Sequence, residues 1–259
     1  MRLDVFLFEK GYYRSRNKAA EACERGEVSV NGEIRTKSSF DVTEADDIKT
    51  NGVGYVSVGA YKLKRAIEVF GLDCNGKVFA DIGASTGGFT QVLLQNGAKK
   101  VYCVDVGEGL LDESISSDGR VVVMDNTNAR FLTAKDFPER LDGVTVDCSF
   151  ISIKTLLPSL KGLVDGKGSI IALIKPQFEC GRSALGKSGI LLDNKKTLNV
   201  LADIYAFCLS EGLTVADFTY SPVNERKNIE FLMLLSRSGK TVDLKFIADV
   251  AKQAFSRRR

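Results

Sequence analysis

The sequence predicts an α/β protein: a seven-stranded, mostly parallel sheet covered by helices on both faces, with a small α+β module ahead of it. Three observations carry that expectation. Lys77-Val-Phe-Ala-Asp-Ile-Gly-Ala-Ser-Thr-Gly-Gly-Phe-Thr90, followed by Lys100-Val-Tyr-Cys-Val-Asp105, reads as strand, glycine turn, helix and second strand. From about residue 61 onward, strand-length apolar runs alternate with helical periodicity. Ahead of them, the connector Asn51-Gly-Val-Gly54 marks a break, so domains are expected at 1–60 and 61–259.

In the first part, Leu3, Val5, Phe6 and Phe8 predict a short helix stopped by Gly11. Ser15 caps a second helix that turns Ala19, Ala20, Ala22 and Cys23 inward and ends at Gly26. Glu27-Val-Ser-Val-Asn-Gly-Glu-Ile34 is a hairpin about Asn31-Gly32, and Asp46-Asp47-Ile48 leads into a last short strand. In the second part a helix over 61–70 precedes strands at 77–82, 100–105, 121–125, 143–147, 168–175, 213–219 and 229–236. A helix over 244–255 closes the chain, and the Arg257-Arg258-Arg259 tail is expected to be disordered.

The glycine turn limits the ligand. Asp105 lies 22 residues after Gly83, near the offset of about 20 at which a carboxylate grips a ribose hydroxyl. Ser85 stands where a dinucleotide fingerprint needs its second glycine, and no Gly-Lys-Ser/Thr follows the turn, so neither that fingerprint nor a P-loop is present. An adenosine ligand without pyrophosphate remains, and S-adenosylmethionine fits. Gly83, Gly87 and Gly88 are expected to let backbone approach it, with Ser85, Thr86 and Phe89 beside them. The expected fold is therefore of the Rossmann type used by S-adenosylmethionine methyltransferases.

Composition sets limits on the chemistry. Of 259 residues, 44% are hydrophobic and 27% charged, ordinary for a soluble globular protein, and the net charge of +3 permits a polyanion partner without demanding one. The absence of histidine excludes Ser-His-Asp triads and histidine metal sites, and no metal is expected. Cys23, Cys74, Cys103, Cys148, Cys180 and Cys208 form no C-x-x-C and read as buried free thiols of a reducing compartment. With no signal-peptide pattern and no apolar run near 18 residues, the chain is expected in the cytoplasm and off the membrane.

Strand ends carry the polar residues. Asp81, Asp105 and Asp125 end the first three strands, with Asn126 beside Asp125 as a candidate for an adenine edge. Asp147 ends the fourth within Val144-Thr-Val-Asp-Cys-Ser-Phe150, and Lys175 ends the apolar run Ile170-Ile-Ala-Leu-Ile174. Phe150 and Phe178 are candidates to stack on a splayed base, with core packing as the competing role.

Arg2-Leu-Asp4, Gly11, Ser15-Arg16, Ala19, Gly26, Val28-x-Val-Asn-Gly32 and Asp47-Ile48 resemble the S4 RNA-binding domain. Residues 1–50 hold nine basic and ten acidic side chains, so placement is the signal. Arg14, Arg16, Lys18, Arg35 and Lys37 gather around the second helix and hairpin as a face for RNA phosphates.

The whole chain resembles the TlyA (hemolysin A) family, in which an S4 domain is fused to an FtsJ-like ribose 2′-O-methyltransferase. Residues 81–90, 103–107, 147–153, 174–179 and 228–232 carry the likeness. The resemblance implies ribosomal RNA and ribosomal subunits as partners, a ribose on cytidine as target, and a Lys-Asp-Lys-Glu tetrad at Lys62, Asp147, Lys175 and Glu230. A ribose hydroxyl is a weak nucleophile until it loses its proton. Lys175, the implied base, can take that proton only if its pKa falls from about 10.4, and burial and a neighbouring cation both push it that way. The chain departs from the family at Ser57-Val-Gly-Ala-Tyr-Lys62, where relatives carry Ser-Arg-Gly-Gly-x-Lys, at Pro222–Lys227 and at Leu192–Lys195. The Gly186-Lys187 and Gly189 loop persists, with Lys187 a candidate substrate-phosphate contact. A ribosome-associated RNA-binding protein without catalysis is the alternative. A cytolysin would need spanning helices or a barrel, which this pattern lacks.

Overall fold

A computed structural model describes residues 1–259 apart from Arg14, 51–53, 182–184, 187–188, 224–226 and Arg259. It divides into two compact units, Met1–Tyr55 and Val56–Arg259. The division precedes Val56 rather than following residue 60. Val56 N–H donates to Gln91 Oε1 at 2.8 Å, which ties this stretch to the second unit.

The first unit packs helices α1 (Leu3–Glu9) and α2 (Arg16–Glu24) with the strands β1 (Val28–Val30), β2 (Glu33–Ile34) and β3 (Ile48–Thr50), antiparallel in the order β2-β1-β3. α1 buries Leu3, Phe6 and Leu7, the i, i+3, i+4 stripe of one face. Phe8 is exposed because it lies two positions, about 200°, beyond Phe6. Ala19, Ala22 and Cys23 of α2 are buried, whereas Ala20 is only half-buried. Ser15 caps α2 by accepting from Lys18 N–H at 3.2 Å. Asn31 (φ 53°) and Gly32 (φ 82°) are both left-handed, the conformation that a two-residue hairpin loop requires.

The second unit begins with α3 (Gly59–Phe70). Five parallel strands follow: β4 (Val78–Ile82), β5 (Lys100–Val104), β6 (Val121–Met124), β7 (Leu141–Val146) and β8 (Val164–Ile174). β9 (Thr214–Tyr220) and β10 (Phe231–Ser236) complete the sheet, with β10 antiparallel to both β8 and β9. The order β6-β5-β4-β7-β8-β10-β9 is that of a seven-stranded, mostly parallel methyltransferase sheet. Strands end within a few residues of expectation, except that β8 starts earlier, at Val164, through Asp165-Gly-Lys-Gly168. Intervening helices are α4 (Gly88–Gln95), α5 (Glu113–Ser116), α6 (Ile153–Leu160), α7 (Pro176–Glu179), α8 (Asn194–Ser210) and α9 (Leu244–Ser256).

Near-continuous apolar strands fill the core, as a sheet covered on both faces requires, and Phe218 stacks on Phe231 at 5.4 Å between ring centres. The chain runs outward from β4 to β5 and β6 on one side and continues on the other through β7 and β8. The crevice beyond the carboxyl ends of β4 and β7 is thus the topological switch point, where such sheets bind ligands. Among the described residues no helix is long and apolar enough to cross a membrane.

Candidate active site

Two joined cavities open at that switch point and share Gly83, Ser85, Asp147 and Ser149 on their walls. One, of about 430 Å³, has apolar walls from Ile82, Val104, Val106, Leu110, Ile151 and Leu156, with Asp105, Thr127, Asn128 and Arg130 as its polar members. The other, of about 250 Å³, is lined by Ser57, Lys62, Thr86, Gly88, Phe89 and Lys175 among others.

Four amides of the glycine turn are already paired. Gly83 and Ala84 donate backbone N–H to Val104 O at 2.8 and 3.2 Å, and Gly87 N–H donates to Ala84 O at 2.8 Å. Ser85 N–H donates to Asp105 Oδ2 at 2.9 Å, while Gly107 N–H donates to Asp105 Oδ1 at 2.9 Å. Those amides are unavailable to a pyrophosphate. Each Asp105 oxygen keeps one further lone pair, enough to accept from ribose hydroxyls. A nucleoside carrying a sulfonium and no phosphate suits this donor set and the apolar larger cavity.

Gly83 and Gly88 line the smaller cavity, and the glycines also make room for neighbouring protein. A Cβ at Gly83, which is left-handed (φ 79°), would stand 2.9 Å from the carbonyl oxygen of Asp147. At Gly88 it would meet Ser57 Oγ, and at Gly87 it would press on Leu111 and Ile115 at 3.0 Å. The turn lacks side chains so that Asp147, the chain before α3, and α5 can close on it.

Asp81 is placed elsewhere. It is fully buried beneath the turn, where Thr90 Oγ1 donates to Oδ2 at 2.7 Å and Thr145 Oγ1 to Oδ1 at 2.9 Å. Burial pushes its carboxyl up to about 6, against the pull of the two hydroxyls. Asp125 accepts from Gly109 N–H at 2.8 Å, and Asn126, left-handed at φ 53°, donates its N–H to Gly107 O. These two lace the ends of β5 and β6 together and leave the cavity wall to Thr127, Asn128 and Arg130, which sequence reasoning missed. The signal was present: the chain reverses at Asn126, so residues after it face the ligand.

Lys62, Asp147, Lys175 and Glu230 meet at the smaller cavity. Lys62, on the first turn of α3, sets its Nζ 2.8 Å from Glu230 Oε2 and 3.5 Å from Asp147 Oδ2. Lys175 Nζ lies 2.6 Å from Asp147 Oδ1 and donates to Ser149 Oγ at 2.9 Å. Asp147 thus bridges both amines. Burial alone would lower the pKa of Lys62, but Asp147 and Glu230 outweigh it, so Lys62 is raised and held charged. Gln177 Nε2 donates to Glu230 Oε1 at 3.2 Å. Ser149 and Gln177 were not anticipated, since neither residue type at its position signals such contacts from sequence. Phe150 is 89% exposed and left-handed (φ 64°), so it does not pack in the core; its ring lies 5.0 Å from that of half-buried Phe178.

In the first unit, Arg16 lies 3.5 Å from the buried Asp4, which Arg2 also grips at 2.8 Å. Lys18 pairs with Glu21 at 3.9 Å, Arg35 pairs with Glu33 and stacks over Phe40, and Lys37 is exposed. Arg14 and Lys187 lie outside the described residues. Of the tail, Arg258 donates to Leu191 O at 3.1 Å and Lys227 O at 2.9 Å and Arg257 lies over the Tyr220 ring, contacts that the expected disorder did not anticipate, while Arg259 lies outside the described residues.

Residues 55–237 match the FtsJ-like methyltransferase family, and residues 1–48 match the S4 domain. The chain is 36% identical over 260 residues to a 16S/23S rRNA (cytidine-2′-O)-methyltransferase, TlyA, of Mycobacterium tuberculosis, covering 98% of this chain and 97% of that protein. It is 37% identical over 235 residues to Hemolysin A of Brachyspira hyodysenteriae, covering 90% and 98%. A solved structure of a hemolysin-named protein from Streptococcus thermophilus superposes with a TM-score of 0.76 at 37% identity, covering 99% of this chain and 96% of that one.

Proposed function

The chain belongs to the TlyA (hemolysin A) family of S4-domain, FtsJ-like methyltransferases, and from that premise we propose that it methylates the 2′-hydroxyl of a cytidine ribose in ribosomal RNA within the cytoplasm. The supporting observation is the cluster of two lysines and two carboxylates on the wall of a cavity that adjoins an Asp105-marked nucleoside site.

S-adenosylmethionine supplies an electrophilic methyl group on a sulfonium that departs as a neutral thioether. Asp105 would hold its ribose, Thr127, Asn128 and Arg130 would border its adenine, and the apolar walls from Ile82 to Leu156 would shield it from water. Lys175 Nζ, as the free amine, accepts the proton of the target hydroxyl and becomes an ammonium. Its ion pair with Asp147 and its hydrogen bond to Ser149 hold the amine at the wall of the smaller cavity, where the substrate hydroxyl would come. Lys62, held charged by Asp147 and Glu230, is the fixed cation that stabilises the developing alkoxide. Asp147 aligns both amines.

Phe150 offers its ring to a base splayed from the RNA. A left-handed bulky residue that is almost fully exposed costs about 1–2 kcal/mol, and core packing gives no return for it. The S4 unit docks structured RNA through Arg16, Lys18, Arg35 and Lys37. Transfer of labelled methyl to ribosomal subunits lacking the modification tests this reading, with Lys175→Ala as the control that should be inactive.

A further inference from the structure

Lys175 is followed at once by the single turn of α7, and that turn reaches in two directions. Gln177 turns to Glu230. Phe178 and Glu179 turn to the loop 147–152, which carries Asp147, Ser149 and Phe150. Glu179 Oε1 accepts from Ile153 N–H at 2.8 Å and Oε2 accepts from Ser152 Oγ at 2.6 Å. Ile153 N–H is the first amide of α6, a donor that the helix itself leaves unpaired. Ser152 in turn accepts from Lys154 N–H at 3.2 Å.

The loop is therefore fixed at both ends. Asp147 N–H donates to Ile82 O at 3.0 Å at the start, and Glu179 holds the finish. Between these anchors lie the partners of Lys175 and the one bulky residue of this loop in the left-handed region. Glu179 does not line the smaller cavity, and its two hydrogen bonds go to Ser152 and Ile153.

We infer that Glu179 is a positioning residue of the reaction: it pins loop 147–152 to the turn after Lys175, and so sets Asp147 and Ser149 against the reacting amine. The inference rests on the proposed role of Lys175. An error of about 1 Å at a reacting group can cost on the order of 100-fold in rate, so the hold matters even without substrate contact.

The test uses full-length Glu179→Ala, Glu179→Gln and Ser152→Ala beside the unaltered protein. Glu179→Ala should lower kcat roughly 10- to 100-fold while KM for ribosomal subunits and Kd for S-adenosylmethionine stay within about twofold. Glu179→Gln should recover most of the loss, because its amide oxygen still accepts from Ile153 N–H and its amide nitrogen meets Ser152 Oγ. Ser152→Ala, which removes one bond of the pair, should fall between them.

Hydrogen exchange of residues 147–156 reads the hold without any RNA. Exchange there should rise in Glu179→Ala while residues 78–82 stay protected. Unchanged exchange overturns the inference whether or not the chain methylates RNA. So does an unchanged kcat, or a loss that falls on cofactor affinity and melting temperature in place of turnover. Failure of the unaltered protein to methylate any subunit, with exchange responding as described, would refute the assigned reaction and leave the pinning intact.

Discussion

Replacing Asp81 by Asn should flatten the pH dependence of folding in the second unit. Asp81 is fully buried and its carboxyl is pushed up to about 6 from an ordinary 3.8. The unfolded chain releases that proton near pH 4, whereas the folded chain keeps it until about pH 6. Below pH 4 both states are protonated and the group contributes nothing. Between pH 4 and 6 the unfolded state binds fewer protons, so stability falls as pH rises. Above pH 6 the full cost stands. A shift of about two units at 1.36 kcal/mol per unit makes that cost about 3 kcal/mol. Asn keeps the shape and can meet Thr90 and Thr145, so Asp81→Asn should gain about 3 kcal/mol on the unaltered protein between pH 4 and 7. Urea titrations at several pH values, read by hydrogen exchange of residues 77–90, isolate this unit from the S4 unit. Parallel stability curves for the two proteins would refute the reasoning.

Other expectations follow from the same geometry. Phe150→Asn places a residue tolerant of the left-handed region where Phe is strained, so thermal stability should hold or rise by up to about 1 kcal/mol. The same change should raise KM for RNA by 5-fold or more, since one base–aromatic stack is worth about 1–3 kcal/mol; an unchanged KM would remove Phe150 from substrate recognition. Arg16→Ala should weaken RNA binding and reduce the slope of log K against log salt by about one, measured by titration with an rRNA fragment at several salt concentrations. An unaltered slope would take Arg16 off the phosphate path.

The sheet was legible because a strand covered on both faces must be apolar along its length, and runs such as Ile170–Ile174 can be little else. Strand-end acids could be counted, but their aim could not. Asp81, Asp105 and Asp125 end adjacent strands, yet only Asp105 faces a cavity. An alternating strand turns Asp81 into the sheet, and the reversal at Asn126 carries Asp125 away. Glycine identity was readable where the neighbours it makes room for were not, since sequence gives no sight of Ser57 or the Asp147 carbonyl that crowd the turn. The Lys62–Glu230 contact joins residues distant in sequence and came only through the family likeness. Ser149 and Gln177 were invisible because they contact residues already chosen, and Glu179 because it bonds Ser152 and Ile153, which nothing in the sequence singles out. Arg258 looked like a charged tail, and its two backbone acceptors belong to loops far from it in sequence.

The role of Lys175 is the claim on which the rest depends. The direct measurement is methyl transfer from S-adenosylmethionine to undermodified ribosomal subunits by the unaltered protein and by Lys175→Ala, with cofactor affinity measured on both. Alkali-stable label on a cytidine ribose with the unaltered protein, and a loss of at least 100-fold with Lys175→Ala at unchanged cofactor affinity, is the predicted result. Transfer that survives the substitution would contradict Lys175 as the proton acceptor.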